Sequence, residues 1–127
     1  MTTLTIAARY KGPPDSGNGG YVCGLVAVAS REDVTVRLLA PPPLDTPLEF
    51  AATGAGEWLL SSSGGLIARA ARGRLDLDVP RPPRYVQAVW ASQHYPGFRE
   101  HAFPECFVCG PHRRRGDGLR IFPGMLD

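Results

Sequence analysis

Net charge, cysteine and long apolar runs are all scarce in this chain. A net charge of +2 is too small for a nucleic-acid footprint, so no nucleic-acid partner is expected. No apolar stretch approaches the ~20 residues that a membrane-crossing helix needs. The opening MTTLTIAARYKG lacks the basic start and apolar core of a secretory signal. Three cysteines, an odd number, give no disulfide framework, which points to a reducing cytoplasm. No internal repeat occurs in 127 residues, a length that suits one domain, or a domain with an extension.

Turn residues are plentiful. Fifteen glycines and thirteen prolines punctuate the chain into short elements. The central stretch is Asp15–Ser30, DSGNGGYVCGLVAVAS. Its polar, glycine-rich start opens onto Tyr21–Ala29, which reads as a helix. Tyr21, Val22, Leu25, Val26 and Ala29 fall on one side, with Cys23, Gly24, Ala27 and Val28 on the other. Such a helix, apolar all round, is expected to be buried. Its first N–H groups lack intrahelical partners and lie at the positive end of the helix dipole, which suits a carbonyl oxygen, carboxylate or phosphate. The plain alternative is a tight glycine turn into a core helix.

Alternation predicts strands at Thr3–Ala8, Val34–Leu39, Leu48–Thr53 and Glu57–Ser61. Ser61–Gly65 reads as a hairpin connection, and Leu66–Val79 as a long strand, with a bulge near Gly73 favoured over an early part covered on both faces. Strands joined in this way make an antiparallel sheet, so the fold class is α+β with the sheet around the helix. Beyond the linker Arg81–Arg84, Tyr85–Ser92 has helical spacing, His94–Glu105 reads as a loop, and Leu119–Phe122 starts a further strand.

The tail carries two chemical candidates. Cys106-x-x-Cys109-x-x-His112, with His101 upstream, has zinc-ligand residue types but lacks a matching second pair. The other readings are an inert turn and a redox pair. No metal is assigned, and Cys106, Cys109 and His112 remain the candidate ligands. His112-Arg113-Arg114-Arg115 offers guanidinium groups to phosphate, or else forms a solvated loop. Cys23 reads as a small core residue.

Three segments resemble a known family. Asn18-Gly19-Gly20-Tyr21-Val22 running into Gly24-Leu25-Val26-Ala27 is similar to the opening of the central helix in hot-dog-fold proteins of the acyl-CoA thioesterase-like branch. Val34–Pro43 followed by Leu44-Asp45-Thr46-Pro47-Leu48-Glu49 resembles their paired strands. Cys106-Phe107-Val108-Cys109-Gly110 followed by Gly116–Ile121 resembles the segment that leads into a hot-dog unit. The resemblance implies one hot-dog unit over residues 1–80, an antiparallel sheet wrapped around a central helix. Residues 81–127 would be a linker helix and the start of a second, incomplete unit of a tandem protein.

By the same resemblance, the chain would bind or hydrolyse an acyl thioester of coenzyme A, without a cofactor, as a homodimer or higher oligomer. The backbone N–H groups of Gly19 and Gly20 would hold the oxyanion, Asn18 would orient the carbonyl or a water, and Tyr21 with Arg113, Arg114 and Arg115 would contact the substrate. The family's carboxylate is often on the helix, yet Tyr21–Ser30 contains no Asp or Glu. Asp15 is the nearest candidate. Two other readings are a non-catalytic acyl- or CoA-binding half, and a small zinc module at Cys106 and Cys109.

Overall fold

The computed structural model describes residues 1–126. Its strands are β1 (Thr2–Thr5), β2 (Val34–Leu38), β3 (Pro47–Ala52), β4 (Glu57–Ser62) and β5 (Gly65–Arg72), and its helices are α1 (Gly19–Ser30) and α2 (Tyr85–Gln93). The strands form one antiparallel sheet in the order β1-β3-β4-β5-β2. The fold is therefore α+β, as the alternation predicts.

Connectivity differs from a run of hairpins. β2 pairs with β5 (Val34 opposite Arg72, Leu38 opposite Ala68) rather than with its sequence neighbour β3. The cause is the segment Ala40-Pro41-Pro42-Pro43, since consecutive prolines cannot form a two-residue hairpin or donate to a ladder. The chain instead crosses the end of the sheet beneath the start of α1, where the Gly17 N–H donates to the Pro42 carbonyl at 2.8 Å. β1, shorter than the predicted Thr3–Ala8, takes the other side of β3, and Ala8–Tyr10 turns into a 3-10 helix.

The bulge is also displaced from its predicted place. Leu60 pairs with Ala68 but Ser61 pairs with Leu66, so Ile67 is the extra residue. Its carbonyl accepts from the Leu39 and Ala40 N–H groups, and Ile67, Ala68 and Ala70 all reach the core. No bulge carries the strand past Gly73: β5 ends at Arg72, and Leu75, Leu77 and Val79 are exposed.

The core joins Ile6, Val22, Val26, Leu48, Phe50, Leu60, Ile67, Ala68 and Ala70. Leu48 and Phe50 alternate with exposed Glu49 along β3, the period-2 pattern of a sheet with one covered face. Complete burial of Leu48 or Leu60 is worth about 1.5–3 kcal/mol each. α1 is not buried all round. Val22, Val26 and Ser30 face the core, whereas Gly24 is exposed and Val28 is 78% exposed. The helix lies on one face of the sheet, and among the described residues none covers Gly24 and Val28 on its other side.

α2 presents Tyr85, Val86 and Trp90 to solvent and buries only Ala91. The predicted strand at Leu119–Phe122 is absent. That segment instead runs extended along the tail, the Leu119 N–H donating to the Phe107 carbonyl and the Ile121 N–H to the Val108 carbonyl.

Candidate functional site

The N-terminus of α1 is built by Asn18. Its Oδ1 accepts from the Tyr21 N–H at 3.0 Å and its carbonyl accepts from the Val22 N–H at 3.0 Å, an N-cap that satisfies one of the orphan donors. The N–H groups of Gly19 and Gly20 have no acceptor among the described residues. Gly17, just before the cap, is required on steric grounds, because a Cβ there would lie 2.8 Å from Val22 Cγ2.

An open groove of about 410 Å³ adjoins Gly19, lined by Pro13, Leu38, Leu39, Ala40, Pro41 and Pro42 with Ser16 and Gly17. Its walls are mainly apolar. The proline-rich crossover that excludes a β2–β3 hairpin is what places them there.

The tail closes over the other side of the cap. Asn18 Nδ2 is 3.5 Å from Cys106 Sγ. The Phe107 N–H donates to the Lys11 carbonyl at 2.9 Å, and the Phe107 ring meets Tyr10 edge-on at 4.9 Å. Tyr10 in turn stacks on Tyr21 at 4.1 Å, so Tyr21 packs in a column of rings. Ion pairs Arg9–Asp117 (3.0 Å) and Lys11–Glu105 (3.3 Å) join the same two segments. Residues 105–119 thus dock against residues 9–21.

Within the tail, Cys106–Gly110 forms a tight turn in which the Gly110 N–H donates to the Cys106 carbonyl at 2.8 Å. A Cβ on Gly110 would press into the backbone of Cys106 and Pro104, so the turn demands glycine. All three cysteines are free thiols, and Cys106 is 5% exposed. Burial pushes the Cys106 thiol up, but donors from the Cys109 and Val108 backbones, the Cys109 thiol and Asn18 outweigh it and hold the pKa below its ordinary value. Burial raises the Cys109 thiol, as does its hydrogen bond to Cys106.

His101, not His112, meets the cysteines. The Phe103 N–H donates to His101 Nδ1 at 2.9 Å, and Nε2 lies 3.4 Å from Cys109 Sγ. His112 is exposed. Among the described residues no group of three His, Cys, Asp or Glu side chains is arranged to hold a metal ion.

The remaining predicted site residues are dispersed. Asp15 occupies an exposed turn. Arg113, with only 9% of its side chain exposed, donates to the Glu105 and Arg9 carbonyls at 2.8 and 2.6 Å. It fastens the tail, while Arg114 and Arg115 are exposed. The proximity of Cys106 to Asn18 has no sequence signal at all. No helix is long and apolar enough to cross a membrane, among the described residues. No family model, curated protein or solved structure matches the chain.

Proposed function

We propose that the chain is a hot-dog-fold protein that binds an acyl thioester of coenzyme A type at the N-terminus of α1. The five-stranded antiparallel sheet packed on one helix is compatible with that fold. The observation that carries the reading is that the N–H groups of Gly19 and Gly20 have no acceptor among the described residues, with Gly19 itself lining an apolar groove. The thioester oxygen would accept from these donors, and the acyl chain would lie along Leu38, Leu39 and Pro41. Arg114 and Arg115 are the tail cations left for the phosphates.

Hydrolysis needs a base within hydrogen-bond reach of the attacking water. α1 supplies no carboxylate and Asp15 points from an exposed turn. The reading therefore commits to binding, with the chain pairing as a homodimer. The second copy would cover the exposed apolar side of α1 and the free edge of β2, the strand against which α1 packs.

Titration calorimetry with an acyl-CoA series tests it. Affinity should rise about fourfold per added CH₂, at ~0.8 kcal/mol each, until the groove is filled. Gly19→Val should abolish that dependence, because a Cβ at Gly19 already lies 3.4 Å from Leu38 Cδ1. Acyl-CoAs that bind no better than coenzyme A itself would refute the proposal.

A further inference from the structure

The tail turn has chemistry that acyl binding does not use. We propose that Cys106 and Cys109 are a redox pair, converted to an intramolecular disulfide by a low-molecular-weight disulfide that enters at Cys109. The two thiols are three residues apart on one tight turn, closed by the Gly110 N–H on the Cys106 carbonyl at 2.8 Å and permitted only by glycine at 110. Asn18 Nδ2 donates to Cys106 Sγ at 3.5 Å, and hydrogen bonding outweighs burial to hold that thiol below its ordinary pKa. Such bonding favours a thiolate, the form that attacks disulfides.

His101 argues for this role over metal binding. Its Nδ1 accepts from the Phe103 N–H, so the neutral ring carries its proton on Nε2, facing Cys109 Sγ. That nitrogen donates to the sulfur and has no lone pair free for zinc.

Access sets the order of steps. Cys106 is buried and Cys109 is half-buried, so Cys109 attacks first. Its proton passes to the neighbouring Cys106 thiolate, a Cys109–SR bond forms, and the S–S bond of RSSR breaks. The departing RS⁻ takes the proton from Cys106 and leaves as RSH. The Cys106 thiolate then attacks Cys109 Sγ, forming the internal disulfide and expelling the second RS⁻. The pair loses two electrons and RSSR gains them. Oxidation also withdraws a charged acceptor from Asn18 Nδ2, so it is felt at the cap of α1.

Oxidised glutathione is the probe. The whole protein is incubated with it, quenched with acid, alkylated and mapped by mass spectrometry. The expected product is a Cys106–Cys109 disulfide, reversed by dithiothreitol, with a shift of the Asn18 side-chain amide resonances. Cys106→Ser should trap glutathione on Cys109, more slowly than the wild type reacts because the thiolate that takes the Cys109 proton is gone. Cys109→Ser should leave Cys106 unmodified, and each variant is checked for folding by circular dichroism. Thiols that stay reduced in the folded wild-type protein would overturn the proposal, as would stoichiometric zinc in the purified protein. Glutathione trapped on Cys106 in Cys109→Ser would overturn the assigned order.

Discussion

Asn18 Nδ2 and Cys106 Sγ lie 3.5 Å apart although the two residues are 88 positions apart in the chain. One side chain thereby caps α1 through Oδ1 and touches the tail through Nδ2. Asn18→Ala is expected to cost about 1 kcal/mol, the usual loss of an N-cap, as a lower urea midpoint at unchanged slope. A variant as stable as the wild type would mean that the cap contributes nothing.

The two tail thiols should leave opposite marks on stability against pH. Burial alone would raise Cys106, but its donors hold it low. The native state therefore releases that proton at a lower pH than the unfolded chain does. Between those two values the unfolded chain binds more protons, so stability rises with pH, and it is lost as pH falls through the native value. Cys109, raised by burial and by its bond to Cys106, acts in the other sense: above its ordinary value, stability falls as pH rises. Cys106→Ser should remove the rise and keep the fall. Parallel curves of Tm against pH for the two proteins would contradict this.

Leu60 and Leu75 separate the true sheet from the apparent one. Leu60 is 1% exposed on β4 and Leu75 is 84% exposed beyond β5. Leu60→Ala is expected to destabilise by roughly 2–5 kcal/mol, as buried Leu→Ala changes do. Leu75→Ala should stay within about 0.5 kcal/mol, the range of plain surface substitutions. Chemical denaturation measures both, and comparable losses would restore a strand through Leu75.

Val28, 78% exposed on the apolar outer side of α1, should lie in the homodimer contact. An interface between identical copies repeats every substitution on both sides. Val28→Glu is therefore expected to shift sedimentation velocity towards monomer, with circular dichroism unchanged. A wild-type protein that sediments as a monomer at every concentration would remove the dimer.

Sequence by itself determined the local pieces: α1 with its glycine-rich start, and the alternation of Leu48 and Phe50 that makes β3 half-buried. These follow from short-range geometry, since a period of 3.6 or 2 shows which side chains share a face. Tertiary structure alone decided which partner each face met. β2 joined β5 because prolines 41–43 forbid the hairpin to β3. Val28 was left in the open because the sheet covers only one side of α1. Leu75, Leu77 and Val79 keep the alternation of a strand, but they have no neighbouring strand to complete a ladder. Cys106 came to Asn18 through Phe107 packing on Tyr10 and the Arg9–Asp117 and Lys11–Glu105 pairs. Contacts of that range depend on which surfaces the whole fold leaves to be covered, and no local pattern records them. The glycine-rich mouth of α1 was thus legible from its residues, whereas the thiol pair beside it was not.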